Sequence, residues 1–418
     1  MSDEGWTSRV YALLTDAEGH VLVLGSGESR TLPYLEVEGY ADDEIPRVRD
    51  AVASVVGSSA VVVRPVARTI HEDDRVLEIA FELELWGPAT GLPADAAWLG
   101  REELSRFDLP THDRELVDAL FADRPPPERP PWAHRGWFAE AADWIESTLV
   151  GLGRRPSGPV EQISHWCISS ILRTSTADGD VYFKATARSP LFGDEGAVTD
   201  RLAGLFPENV PRPLAIDRER RWMLLDDFGP LVGWKAALET RVEVLSLFGQ
   251  MQLETAGMED DLGLEDAEIA QLDALVPMLV ESCARLAAGP VPDTLVHGDL
   301  HLGNVAGGDG RFVFFDWTDA CVTHPFLDML VILFEEDVAA RQALRDAYLS
   351  VWAAFAPRDD LLELWRVAEP LASLNQAVSY RSILESVERG TGEELGSMLP
   401  YWLRKALAAA PHTSIAGH

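Results

Sequence analysis

Residues 297–304, His-Gly-Asp-Leu-His-Leu-Gly-Asn, and residues 312–317, Phe-Val-Phe-Phe-Asp-Trp, decide how the rest of the chain is read. A helix here would set His297 and His301 on one face, four residues apart, as a zinc pair. Gly298 and Gly303 argue for a loop instead, since glycine weakens a helix interior. The apolar run 311–315, Arg-Phe-Val-Phe-Phe, reads as a strand that delivers Asp316 at its end. Asp299, Asn304 and Asp316 thus bring three side-chain oxygen donors within one short stretch.

The spacing His-x-Asp-x4-Asn with a later aspartate is that of a kinase catalytic loop and its metal-binding aspartate. The form HGDLHxxN with a later Asp-Trp resembles the aminoglycoside phosphotransferase and choline kinase group. Protein kinases usually carry HRD and DFG, and Trp317-Thr318 stands here in place of Phe-Gly. The resemblance implies an ATP- and Mg²⁺-dependent transfer to a small-molecule hydroxyl, with Asp299 as the catalytic carboxylate and Asn304 and Asp316 as metal ligands. Such chemistry needs a carboxylate to orient the attacking hydroxyl and hard oxygens for Mg²⁺. His297 and Asp328, in His-Pro-Phe-Leu-Asp at 324–328, would support the catalytic loop.

Upstream, the resemblance makes Lys184 the strand lysine that contacts the phosphates, and Glu195 its helix partner. Strand alternation puts Tyr182 and Lys184 on one face, Val181 and Phe183 on the other. Asp227 and Phe228, in Met-Leu-Leu-Asp-Asp-Phe-Gly at 223–229, fall in the connector whose backbone would hold adenine. The nucleotide loop near residues 165–170, His-Trp-Cys-Ile-Ser-Ser, lacks a glycine-rich pattern, so GTP stays open beside ATP. The resemblance covers about residues 133–410 and is densest at 294–328.

Outward from this region, 124–131, Arg-Pro-Pro-Pro-Glu-Arg-Pro-Pro, carries five prolines in eight residues and imposes extended backbone. The expected organisation is α+β: a domain at 1–123, a linker at 124–132, a β-rich kinase small lobe at 133–232 and a helical large lobe at 233–412. In the first domain, strand, strand, helix, strand, strand forms a sandwich pattern that resembles the Nudix fold. With Gly57 as the motif glycine, the positions of that family's metal-binding glutamates fall on Asp50, Ala51, Ser54 and Val55. One carboxylate cannot hold the metals, so a structural or regulatory role is expected there. The final residues 411–418 read as a frayed end.

Composition narrows the partners. Aspartate and glutamate number 69 against 35 lysines and arginines, a formal charge of -34 that repels nucleic acid. Hydrophobic residues make up 47%, which supports packed cores. Cys167, Cys283 and Cys321 are far apart, with no framework for disulfides or zinc. The first residues lack a signal-like apolar region, and no apolar run reaches the ~20 residues that span a bilayer, so a cytoplasmic location without membrane partners is expected.

The acceptor is a small molecule that the sequence does not name. The resemblance puts it between the catalytic loop and the C-terminal helices, where Asp319, Glu335, Glu336, Glu363, Trp365, Glu369, Gln376 and Tyr380 lie. Of these, Asp319, Trp365, Glu369 and Tyr380 are the candidate contacts: the acids suit a cationic acceptor, and Trp365 or Tyr380 could cover a sugar face or a cation. Two other readings are a ligand-sensing pseudokinase, which the intact Asp299, Asn304, Asp316 and Lys184 oppose, and a Nudix hydrolase, which the missing glutamates oppose.

Overall fold

The computed structural model describes residues 5–39, 45–87, 91–188, 193–233, 235–255, 276–308, 311–388 and 393–409, so the expected frayed end at 411–418 lies outside the described residues. The chain forms two compact units, Met1–Ala185 with Val387–Thr391, and Thr186–Ser386 with Gly392–His418.

The first unit opens with strands β1 (Thr7–Thr15), β2 (Val21–Val23) and β3 (Tyr34–Glu38), helix α1 (Ile45–Val56), and strands β4 (Ala60–His71), β5 (Val76–Leu85) and β6 (Ala97–Leu99). Short α2 (Arg101–Leu104) and α3 (Thr111–Ala122) follow. The sheet order is β4-β5-β1-β2-β6, with β3 paired to β1 and β1 parallel to β5. Alternation assigns the two faces. Val10, Ala12 and Leu14 of β1 pack with Val48, Val52 and Val56 of α1, while Leu13 joins Leu116, Val117 and Leu120 of α3. The apolar positions of α1, Ile45, Val48, Val52 and Val56, recur at helical spacing, which is why this segment lies flat on the sheet. Pro65 interrupts β4 without breaking the sheet, because β4 is an edge strand with register shifts at Val62/Arg64 and Pro65/Ala67.

Within the same unit, the proline-rich stretch ends in a 3-10 turn, Pro131–Ala133, before α4 (Trp137–Gly151). Arg129 is buried and pairs with Asp123 at 2.6 Å and Glu388 at 2.5 Å. Arg64 pairs with both Glu82, at 2.8 Å, and Asp123, and Arg135 holds the other oxygen of Glu82. Breaking one member of such a network would leave an uncompensated buried charge, at a cost of about 3–5 kcal/mol. Trp137 and Trp144 of α4 pack on Phe183. Strands β7 (Glu161–His165), β8 (Ser169–Thr176) and β9 (Gly179–Thr186) lie side by side in that order.

The second unit starts with α5 (Glu195–Leu205) and the hairpin β10 (Ala215–Asp217) and β11 (Trp222–Asp226). Then come α6 (Leu238–Thr255), α7 (Val276–Ala287), β12 (Thr294–Val296), β13 (Val305–Gly308), β14 (Arg311–Phe314) and β15 (Cys321–Thr323). Helices α8 (Leu330–Leu333), α9 (Val338–Val351), α10 (Arg358–Ser386) and α11 (Met398–Ala409) complete it. Its core gathers Phe248, Phe314, Trp317, Phe326, Tyr348 and Trp352. Aromatic side chains bury ~150–250 Å² each, and fully burying one contributes roughly 1.5–3 kcal/mol. The expected α+β class, with strands concentrated early and helices late, is what the structure has. Among the described residues, no helix is long and apolar enough to cross a membrane.

Candidate active site

The catalytic-loop residues come together in the second unit because two antiparallel pairs bracket them: β12 with β15 and β13 with β14. The segment between β12 and β13 is a loop ending in a 3-10 turn, Leu302–Asn304, as the two glycines required. His301 is no zinc partner of His297. Its Nδ1 accepts the Gly303 N–H at 3.0 Å and its Nε2 lies 3.5 Å from Asp299. Gly298 has φ +83°, and a Cβ there would sit 2.3 Å from the Asp319 carbonyl oxygen, so only glycine fits.

Asn304 Nδ2 donates to the Asp299 carbonyl at 3.0 Å and to Asp299 Oδ2 at 3.3 Å. These bonds occupy the amide nitrogen and leave the amide oxygen as the group free to meet a cation. Asp316 adopts φ +65°, a left-handed conformation that a non-glycine residue holds only when its surroundings enforce it. Trp317 enforces it on one side: its ring is fully buried and its Nε1 donates to the Phe314 carbonyl at 3.0 Å. Thr318 Oγ1 donates to Asp316 Oδ1 at 2.9 Å on the other. The main-chain carbonyl of Asn304 accepts the Phe315 N–H at 3.2 Å, so the loop and the strand end are directly joined.

His297 and Asp328 lie beneath the loop. His297 is fully buried, and its Nε2 donates to the Phe315 carbonyl at 3.0 Å. Burial holds its pKa below the usual imidazole value, which favours the neutral ring. Asp328 accepts the backbone N–H groups of His297 at 2.5 Å and Gly298 at 3.0 Å. Burial pushes its carboxyl up to about 7 against the pull of those two donors. Gln376 of α10 donates to the Gly298 carbonyl at 2.5 Å, and Ser379 donates to Asp319 at 2.8 Å. Neither of these α10 roles had a local sequence signal, since each partner lies at least 60 residues away.

The other expected residues are distributed as follows. Lys184, in β9 of the first unit, is half-buried beside buried Val181 and Phe183, in the alternation read from the sequence. Glu195 starts α5 and is buried, accepting Thr186 Oγ1 at 2.8 Å. Asp227 closes a turn by accepting the Gly229 N–H at 2.9 Å. Phe228 packs tilted against Phe315, ring centroids 4.9 Å apart, and between the connector and β13 the Val232 N–H donates to the Val305 carbonyl and the Gly307 N–H to the Pro230 carbonyl, each at 2.9 Å. Tyr380 lies near the loop: burial first, then the charges of Asp299 and Asp319, raise its hydroxyl to about 12. Glu369 is half-buried, two helical turns before Gln376 on α10. Trp365 is different. It is 4% exposed and packed against Phe326 and Tyr348, a core residue with no open face for a ligand.

A cavity of about 350 Å³ opens beside Leu302, lined by Lys235, Ala236, Arg241, Val331, Phe334, Glu335 and Glu336. It holds both signs of charge, and Arg241 is ion-paired with Glu335.

The chain matches the model of the Phosphotransferase enzyme family over residues 3–358, well over half its length. It belongs to that family. The phosphotransferase is therefore an enzyme acting on a small-molecule hydroxyl, and Asp299, Asn304 and Asp316 lie within the matched region. Among solved structures it resembles a choline/ethanolamine kinase family protein from Mesorhizobium loti, with 16% identity over 66% of this chain and 96% of that one, TM-score 0.47. It also resembles a macrolide 2'-phosphotransferase type I, with 16% identity over 62% of this chain and 96% of that one, TM-score 0.45. A spectinomycin phosphotransferase solved with ADP and spectinomycin is 11% identical over 64% of this chain and 98% of that one, TM-score 0.41. No curated protein matches the chain.

Proposed function

We propose that the phosphotransferase moves the γ-phosphoryl group of ATP, with Mg²⁺, to a hydroxyl of a small molecule. The observation that carries this reading is the bond set around Asn304. Its amide nitrogen is committed to Asp299, which leaves its amide oxygen to serve as an acceptor, while Asp316 is held in a strained backbone conformation with Oδ1 on Thr318. Oxygen donors of this type and charge fit Mg²⁺. When bound, the cation would neutralise charge on the phosphates. Asp299 would accept the proton of the acceptor hydroxyl, and Lys184, Glu195 and the connector at Asp227 and Phe228 would bind the nucleotide. The turn at residues 165–170 would approach its phosphates. GTP is the alternative donor.

For the acceptor, we favour a cationic amino-sugar or amino alcohol. Asp319 and Tyr380 are near Asp299, and Asp319 carries the charge that would meet an ammonium group. The test is consumption of ATP or GTP by the purified chain against amino-sugars, macrolides, amino alcohols and neutral sugars, with Asp299→Asn as blank. Phosphorylation of a cationic compound, with apparent affinity that falls as salt rises, is the expected result. Turnover confined to neutral or anionic compounds without salt dependence would remove the cationic acceptor, and no turnover in any arm would remove the kinase reading.

A further inference from the structure

The turn between β7 and β8 is built unlike a loop that cradles phosphate with its own backbone. It carries Trp166, Cys167 and Ile168, with the Trp166 N–H closing on the Ser169 carbonyl at 2.8 Å. A turn of large side chains needs external contacts to fix it, and this one has them. Gln162 is 1% exposed, and its amide makes a two-way bond with the backbone of Val62. The Val62 N–H donates to Oε1 and Nε2 donates to the Val62 carbonyl, each at 2.9 Å. His165 Nε2 donates to the Val63 carbonyl at 2.8 Å, and its Nδ1 accepts from Gln162 Nε2 at 3.0 Å. Arg49 of α1 donates to the Gln162 carbonyl at 2.8 Å, and Trp132 Nε1 donates to the Trp166 carbonyl at 2.6 Å.

Two irregularities make this possible. In a regular strand, residues three apart point to opposite faces. The register shift between Gln162 and Ser164 inserts one residue and returns His165 to the face of Gln162. The matching shift at Val62/Arg64 falls in edge strand β4, whose outward backbone groups would otherwise lack a ladder partner. The side chains of the hairpin thus replace a neighbouring strand.

We propose that Gln162 and His165 are positioning residues through which the N-terminal sandwich holds the β7–β8 turn in place for the nucleotide's phosphates. The assignment rests on the nucleotide role given to that turn under the proposed function. It gives the N-terminal sheet and the helices packed on it a part in phosphoryl transfer.

The experiment is calorimetric titration of the full chain with MgATP and MgGTP, beside amide hydrogen exchange over residues 165–170. Gln162→Met keeps the volume and removes both bonds to Val62. It should weaken nucleotide binding about tenfold or more, a factor equal to about 1.4 kcal/mol, and speed exchange in the turn. Arg49→Gln is a milder variant at a half-buried site and should act in the same direction by a few-fold. His165→Gln, which keeps an N–H for Val63, should retain most of the affinity that His165→Leu loses. Ser8→Ala removes a buried 2.7 Å bond to Gly39 elsewhere in the sandwich, and should lower stability without changing nucleotide affinity. Wild-type affinity in Gln162→Met and Arg49→Gln, or an equal loss in Ser8→Ala, would overturn the proposal alone. A wild-type chain that binds neither nucleotide would overturn the kinase reading and this proposal with it.

Discussion

The loop at residues 297–304 and helix α1 both lie between strands, and in sequence each invites comparison with a metal-dependent phosphate site. In the first, the proposed ligands are also structural. Asn304 holds Asp299, Thr318 holds Asp316, and Asp328 holds the backbone on which they sit. In α1 the two jobs are separate. Its buried stripe of Ile45, Val48, Val52 and Val56 secures it to the sheet, while the solvent side keeps only Asp50 of the acids a Nudix-like helix would need. A helix that packs through one face leaves the residues of its other face unconstrained by the fold. The catalytic loop has no such separation.

That contrast is broken most directly at Asp299. Asp299→Asn should cut turnover by at least ~10²-fold, the usual cost of losing a positioned base, while nucleotide binding persists. Single-turnover transfer to the acceptor found by screening, beside nucleotide titration, checks it. Survival of near wild-type turnover would mean the loop's acid is not the catalytic carboxylate. Asp316→Ala should reduce MgATP affinity and rate by roughly 10- to 10²-fold through loss of a charged ligand. A Mg²⁺ titration should show the half-saturating concentration rising, and an unchanged curve would contradict the metal role.

The next effect is on stability and belongs to the first unit. Burial pushes the pKa of His165 down to about 4, against an ordinary value of 6.5. Because the folded pKa lies below the unfolded one, the folded state favours the neutral ring. Its contribution is fully present above pH 6.5 and is lost as pH falls from there toward 4. Between pH 7 and pH 5 this amounts to about 2 kcal/mol. Urea denaturation at both pH values should therefore show a larger acid loss in the wild type than in His165→Gln. Equal losses would show that His165 does not contribute. Smallest of all is Asp50→Asn, which should move stability by no more than ~0.5 kcal/mol and leave turnover unchanged. A fall in turnover there would restore a chemical role to α1.

Read alone, the sequence determined the local parts of this enzyme. The loop at 297–304, the strand ending at Asp316, the alternation around Lys184 and the apolar stripe of α1 all follow from residues within a few positions of each other. Alternation, helical period and glycine placement act at that range. The proline-rich stretch was legible as extended backbone for the same reason. Its anchoring through buried Arg129 was not, because Glu388 is 259 residues away. The fate of Trp365 was equally hidden, since a tryptophan on a helix suits a ligand or a core and only Phe326 and Tyr348 decide which. Tertiary structure also made Asp328 and Gln376 supports of the catalytic loop, across 31 and 78 residues. It brought Gln162 and His165 to edge strand β4 across about a hundred residues. Each of these bonds satisfies a buried backbone group that has no local partner, and which distant side chain meets that need is settled only when the chain is packed.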